Sequence, residues 1–405
     1  MQPTVSVVVV SRERPESLLW CLTALAGVRF DAFEIVVVAD EAGYSAVLET
    51  DFARKVKLVR FDEANISAAR NKGVAQAAGE IVAFIDDDAA AEPMWLAQLA
   101  SAFADPDVAC AGGYVRGRNG ISYQWKARQV NEEGSAIALD NGGLEPFSPG
   151  VRDGYAVKTE GTNMALRRAA LCAQGGFDEA FHFFLDETDL NLRLHQKGHK
   201  TVLVPRAEVH HAYAASTRRR DDRAVTDLHD VGASTVVLLR KFNKPLEPRC
   251  SEMAAEQVQR LEDQRSRGLL SAEEADAALK TLEAGFEEGK DRAFGQYPNG
   301  LDTPMAGFLP FKPNRSSSET LAGRWHKRRA LRREAAELAA QGFNVSLYLF
   351  SPDTRFHHVR FDEAGFWEQS GGQLGKSERH QPLFQLISFR KRLLKEQNRV
   401  AHARG

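Results

Sequence analysis

Over the first 110 residues, short apolar runs alternate with segments of helical periodicity. Val5–Val10 is apolar at nearly every position, as expected of a strand covered on both faces in a parallel sheet. Pro15 then stands where the first helical turn tolerates it, and Leu18, Leu22 and Leu25 recur at helical spacing before Gly27. Glu34–Val38 and Lys57–Arg60 read as further strands. Ser67–Ala78 is an alanine-rich helix ending at Gly79, and Glu80–Ile85 is a fourth strand. Pro93 opens another helix, with Leu96, Leu99 and Phe103 on one face. Such alternation predicts an α/β fold with a doubly wound, mostly parallel sheet flanked by helices.

The pattern then changes. Residues 111–158 are glycine-rich and irregular, which suggests loops or a few antiparallel strands, and regular signals resume over 161–216 and 223–242. Residues 1–240 therefore read as one domain, in which 1–110 form the first half and 111–240 the second. Past Pro245 and Pro248, the polar stretch 245–295 carries Leu261, Leu269, Leu270, Leu279 and Leu282 and resembles a helical hairpin. Residues 296–320, with four prolines and the Ser316–Ser318 run, read as a linker. The last unit, 321–405, is expected to hold a helix near Leu321–Gln341, a strand at Asn344–Phe350 and a basic helix near Leu383–Val400. The extension as a whole is expected to be mainly helical, with 321–405 an accessory α/β or helical unit.

Composition narrows the class. Of 405 residues, 43% are hydrophobic and 27% charged, which is globular, and 53 Lys and Arg against 55 Asp and Glu give no general affinity for nucleic acid. Cys21, Cys110, Cys172 and Cys250 form no CxxC pair, so neither a disulfide scaffold nor a zinc ribbon is expected. Met1 leads almost directly into Val5–Val10 without a signal-like region, and no apolar run reaches the roughly 18–20 residues that span a bilayer. These features predict a cytoplasmic protein.

Chemistry concentrates at Asp86, Asp87 and Asp88, directly after the fourth strand. Ligands of doubly wound sheets bind at the carboxyl ends of strands. Three adjacent carboxylates repel unless solvent or a cation neutralises them, and a hard divalent cation prefers such oxygens while leaving positions for phosphate. The plainer reading is a solvated acidic turn.

The surroundings shift that balance. The first strand runs into the polar loop Ser11–Pro15, the second ends in Ala39-Asp40, and the helix Asn65–Gly73 carries an AARNKG run ahead of FIDDD. In this order and spacing, residues 4–240 resemble the family 2 inverting nucleotide-sugar glycosyltransferases of the GT-A fold. The resemblance implies that Ser11, Arg12, Asp40, Arg70, Asn71, Asp86 and Asp87 hold the nucleotide sugar. It also implies that Asp88, with His210 and His211 after a late strand, binds Mg2+ or Mn2+. Arg12 stands where the family often has an aromatic residue, and a guanidinium can stack on a base in its place. Further on, Phe184–Arg193 is similar to the family's (E/D)D…DLxxR run. That makes Asp186 and Glu187, with Glu187 preferred, the candidate bases that take the proton of the attacking hydroxyl. Both residue types also favour a first helical turn, and Asp189 can pair with Arg193. Arg218–Arg220 is a candidate for closing over a diphosphate.

The implied reaction moves a sugar from a UDP-, GDP- or dTDP-sugar to a glycan or glycolipid hydroxyl, in cell-surface or extracellular polysaccharide or glycolipid synthesis. The implied partners are the donor and the acceptor; separately, the basic stretches Arg324–Arg333 and Arg390–Lys395 read either as contacts for anionic lipid at the inner membrane face or as solvated helix faces, and the C-terminal unit as an accessory or oligomerisation element. A sugar nucleotidyltransferase would need a glycine-rich loop after the first strand, and Ser11–Pro15 contains no glycine. A non-catalytic binding scaffold would predict degraded metal or base motifs, and neither is degraded.

Overall fold

The structure is a computed structural model and describes residues 2–140, 143–313 and 317–405. Ser316 of the serine run lies outside them. The first half supplies β1 (Val5–Ser11), α1 (Pro15–Leu25), β2 (Phe33–Ala39), α2 (Glu41–Leu48), β3 (Lys57–Arg60), α3 (Ile66–Gln76) and β4 (Ile81–Asp86). A short β5 (Ala89–Ala91), α4 (Trp95–Ser101) and the long β6 (Val108–Arg116) follow. The glycine-rich stretch yields four short strands, β7 (Tyr123–Trp125), β8 (Arg128–Asn131), β9 (Ala136–Ala138) and β10 (Tyr155–Lys158). Next come β11 (Met164–Arg167), α5 (Arg168–Ala173), α6 (Asp186–Gln196), β12 (Lys200–His211) and α7 (His229–Lys241).

Strands of the central sheet run in the order β3-β2-β1-β4-β11-β6-β12-β5, with β7 on β6. Pairs β3/β2, β2/β1, β1/β4 and β6/β12 are parallel, while β11 and β5 run antiparallel to their neighbours. The apolar strand β1 pairs in register with both β2 and β4, placing Ser11 opposite Ala39 and Val10 opposite Asp86. The order reverses between β1 and β4, so these strand ends open at a switch point, the usual ligand crevice of such sheets. Gly73 lets α3 lie directly on β1, since any Cβ there would collide with Val8.

Helices α8 (Arg249–Ser266) and α9 (Ala272–Asp291) pair as a hairpin, the second opened by a Ser271/Glu274 capping box. Gly285 of α9 sits against the backbone of α7 at His229, fixing the hairpin to the domain. Residues 296–313 lie along the domain. Phe311 is buried against Phe33 and Phe52, and its amide donates to the Phe33 carbonyl at 2.8 Å.

The last unit contains more strand than its helical periodicity predicts. It comprises β13 (Ser317–Arg324), α10 (Arg328–Ala340), β14 (Phe343–Ser351), β15 (His358–Phe361), β16 (Trp367–Gly372) and α11 (Phe389–Arg404). The sheet runs β13-β14-β16-β15, with Ala335 and Ala339 of α10 packed on Val345, Leu347 and Leu349. Residues 321–324, expected to be helical, pair with β14 instead. Tertiary pairing overrides local helix propensity there.

This unit docks through Ala24, Ala90, Val359, Phe361 and Trp367 and through one buried ion pair. Arg404 grips both oxygens of Glu92 at 2.9 Å, and His210 Nε2 lies 2.9 Å from Glu92 Oε1. Burial opposes the Glu92 charge, yet Arg404 and then His210 hold its proton affinity well below the ordinary carboxylate range. A depressed folded-state value means stability present above the unfolded value and lost as pH falls through the folded one. Glu92→Gln strands a buried guanidinium and should cost about 3–5 kcal/mol. Urea denaturation at neutral pH checks this, and the gap to wild type should shrink in acid. A loss under about 1 kcal/mol would mean the pair does not hold the unit in place.

Candidate active site

The chain leaves β4 at Asp86 and turns through Asp87 and Asp88 into β5. Asp86, Asp88 and His211 each offer a ligand atom, and these atoms lie within 4.8 Å of one another. His211 Nε2 is 3.0 Å from Asp88 Oδ1 and 4.0 Å from an Asp86 oxygen. Its Nδ1 lies 3.0 Å from Gln124 Oε1, an acceptor, so Nδ1 carries the proton and Nε2 is left to ligate. Burial works against charge on His211, but the adjacent Asp88 carboxylate raises its proton affinity. Asp88 is correspondingly held low against its own burial, by His211 first and then Arg14. A cation bound between these groups would take the place of any proton on Nε2. Two carboxylates and an imidazole suit Mg2+ or Mn2+, with positions left for phosphate oxygens.

Asp88 is also anchored. Its Oδ2 accepts from Ala214 N at 2.8 Å, with Arg14 at 3.5 Å and Arg219 at 3.8 Å. Asp88 is therefore no free strand-end carboxylate: it pins the loop after β12.

Several residues assigned to the donor do other work. Ser11 Oγ donates to Asp87 at 2.7 Å and Arg14 pairs with Asp87 at 2.6 Å, so Ser11 and Asp87 are buried and brace the end of β1. Asn71 accepts from Phe177 N at 2.9 Å and donates to Phe177 O and Glu179, fixing the turn at 175–179 rather than facing the cleft. Adjacent residues on a strand face opposite ways, so His211 turns to the acidic cluster while His210 turns to Glu92 and Trp367. His210 is therefore excluded from the cation site. Burial lowers its proton affinity.

Asp40 and Arg12 directly follow the ends of β2 and β1. Asp40 caps α2, accepting from Gly43 N at 3.0 Å and Glu13 N at 2.8 Å, and each carboxylate oxygen keeps acceptor capacity. Arg12 is half-exposed beside Glu13.

Arg70 links the two halves. Fully buried beneath Gly161, where a Cβ would strike its guanidinium, it pairs closely with Asp186 and lies 3.5 Å from Asp86. Phe177 stacks beside it, with the ring centroid at 5.4 Å. Arg70 acts through these carboxylates, since it has no open surface toward a nucleotide.

Phe184 and Leu185 adopt left-handed backbone conformations at φ 69° and 64°, a strain of about 1–3 kcal/mol each, and deliver Asp186 and Glu187 to the start of α6. Lys158 from β10 donates to Glu187 at 2.6 Å and to Thr188 at 2.8 Å. Against burial, Lys158 pulls Glu187 down to about 2. Burial pushes the proton affinity of Asp186 above the ordinary carboxylate range, although Arg70 opposes it. The two neighbours are thus driven apart, as acid–base pairs are. Glu187 is the more accessible, with 16% of its side chain exposed against 4% for Asp186. Asp189 is fully buried between Arg193 and Lys241, so it is structural.

Sequence reasoning passed over Lys158, Arg14 and Gln124. None carries a local signal, because each gains its role from a partner distant in sequence. In the Arg218–Arg220 run only Arg219 faces the cluster, since Arg218 pairs with Asp230 and Arg220 with Asp222 and Glu274.

A cation-ready acidic cluster at the switch point of a parallel sheet, joined through one arginine to a polarised carboxylate pair, defines an α/β group-transfer enzyme. The profile of the Glycosyltransferase like family 2 matches residues 3–225, more than half of the chain, and the chain belongs to this family. It is a glycosyltransferase.

A glucosyl-dolichyl phosphate glucuronosyltransferase of Haloferax volcanii is 27% identical over 227 residues, covering 52% of this chain and 69% of that protein. A pre-mycofactocin glycosyltransferase of Mycobacterium tuberculosis is 28% identical over 223 residues, 53% of this chain and 44% of its own length. The O-antigen biosynthesis protein RfbC of Myxococcus xanthus is 27% identical over 234 residues, 53% of this chain and 18% of its own length. The chain spans less than half the length of the last two relatives. A crystal structure of GalNAc-T7 with UDP, GalNAc and Mn2+ superposes at a TM-score of 0.47 with 18% identity, covering 59% of this chain and 48% of that one.

Proposed function

We propose that the protein is a metal-dependent inverting glycosyltransferase that moves a sugar from a nucleoside-diphosphate sugar to an acceptor hydroxyl in polysaccharide or glycolipid synthesis. The observation that carries this reading is the Asp86, Asp88 and His211 cluster at the switch point. When bound there, Mg2+ or Mn2+ would neutralise charge on the diphosphate. Asp40 and Arg12, directly after the ends of β2 and β1, hold the base, and Asp86 stands toward the ribose–phosphate part. Arg70 positions Asp86 and Asp186 together.

In the transfer, the acceptor oxygen bonds to the anomeric carbon as the bond to the diphosphate breaks, and the hydroxyl proton passes to Glu187. A single displacement inverts the anomeric centre. Lys158 holds Glu187 ionised and aimed before the acceptor arrives.

Calorimetry with nucleoside diphosphates tests the site. Binding of one of them with Mg2+ or Mn2+ should weaken at least about tenfold in EDTA. Equal affinity in both conditions would remove the cation from the site.

Among the described residues no helix is long and apolar enough to cross a membrane. Leu383, Phe384 and Leu386 are nevertheless 68%, 59% and 87% exposed, just ahead of the basic start of α11. Apolar side chains beside Arg390, Lys391 and Lys395 suit peripheral contact with an anionic lipid surface that presents a glycolipid acceptor. Sedimentation with anionic vesicles, lost in Leu383→Ser/Leu386→Ser, checks this contact.

A further inference from the structure

Beyond the acidic cluster the chain turns at Tyr213, in a left-handed conformation at φ 60°, and wraps over the hairpin of α8 and α9. A cavity of about 270 Å³ lies between this loop and α8, with Arg219, Arg223, Arg260 and Arg267 in its walls. One carboxylate, Asp222, faces these four guanidinium groups, and it is engaged by Arg220 at 3.2 Å. Arginines elsewhere around the site find carboxylates, as Arg14, Arg70 and Arg218 do. Among the described residues Arg223, Arg260 and Arg267 make no ion pair: Arg223 stacks on Tyr213 at 4.5 Å, and Arg260 donates to Gln257. Burial and the Arg219 charge both lower the proton affinity of Arg260, so the cavity holds uncompensated positive charge.

Tyr213 connects this cavity to the acidic cluster. Its ring lies 4.5 Å from that of His211, and Arg219 reaches from the cavity wall to within 3.8 Å of Asp88. Two of the four arginines, Arg260 in α8 and Arg267 at its C-terminal cap, lie beyond the residues that match the family.

We propose that this cavity binds a phosphate group carried by the acceptor. The proposal rests on the glycosyltransferase reading, in which the donor diphosphate occupies the neighbouring acidic cluster and leaves this second anion site to the other substrate. Guanidinium groups bind phosphate oxygens in paired, charge-assisted hydrogen bonds, and several that lack carboxylate partners converge here.

The test uses inorganic phosphate as the probe, titrated by calorimetry into full-length protein saturated with nucleoside diphosphate and Mg2+. Wild type should bind phosphate, and Arg260→Gln/Arg267→Gln should bind it at least about tenfold more weakly, because two charge-assisted contacts are gone. Nucleoside-diphosphate affinity should stay within about twofold, because Arg219, the cavity arginine that reaches Asp88, is left in place. Neither side chain makes an ion pair among the described residues, so thermal unfolding should match wild type. The proposal is overturned if saturated wild type binds no phosphate or if the double variant binds it equally. It is also overturned if the variant loses nucleotide affinity instead, which gives the cavity to the donor. Failure of wild type to bind any nucleoside diphosphate strikes the glycosyltransferase reading itself, whereas loss of phosphate binding with nucleotide binding intact strikes only the cavity.

Discussion

Asp88→Asn is expected to lower turnover about 10³-fold, the scale seen when a charged partner is removed from a dry, preorganised site. The substitution keeps the shape of a residue that is 2% exposed, and an amide oxygen can still accept from Ala214 N. Arg14 retains Asp87, so the fold should survive. Alanine would be a poorer choice, because it would free the loop after β12 as well as remove the charge. Steady-state kinetics together with calorimetry separate the possibilities. Turnover and cation-dependent nucleotide affinity should fall together while the unfolding midpoint hardly moves. Near-normal turnover would make Asp88 a loop anchor only.

Glu187→Gln is expected to reduce kcat by about 10²–10⁴-fold with donor affinity unchanged, the signature of a lost general base on the acceptor side. The neighbouring carboxylates make the test selective. Glu187, at about 2, stays ionised through the neutral range, so a wild-type rate that depends on it should be flat near pH 7. Burial raises the proton affinity of Asp186 against the pull of Arg70, so a rate that used it would fall on acidification sooner than one that used Glu187. An acid limb that vanishes in Asp186→Asn would transfer the role of base to Asp186. If both variants turn over within a few-fold of wild type, neither carboxylate is the base, and Asp189 is no substitute because Arg193 and Lys241 enclose it.

Which features were legible follows from where their information lies. The strands β1, β2 and β4 announce themselves because burial on both faces demands unbroken apolar runs, and Pro15 and Gly79 punctuate the helices between them. Asp86, Asp88 and His211 were legible for a related reason, since strand ends are set locally and the switch point then brings them together. The roles of Ser11, Asn71, Asp87 and His210 were not, because side-chain direction decides them. Asn71 sits in the same motif as Arg70, yet faces a turn more than one hundred residues away. His210 differs from His211 only by the alternation of β12, and either could have faced the cluster. β13 was hidden because Ser317–Arg324 has no strand pattern of its own and gains strand form by pairing with β14. The four strands between β6 and β11 are only three or four residues long, and β7 and β9 are half-exposed, so their apolar alternation is weak.

The most direct test of the central claim is release of nucleoside diphosphate from a panel of sugar nucleotides, followed for wild type and Asp88→Asn with Mn2+ and with EDTA. At least one donor should lose nucleoside diphosphate slowly to water with wild type and Mn2+, and not in the other three conditions. Release that persists in EDTA or in Asp88→Asn, or no release from any donor, would contradict a cation-dependent glycosyl transfer at Asp86, Asp88 and His211.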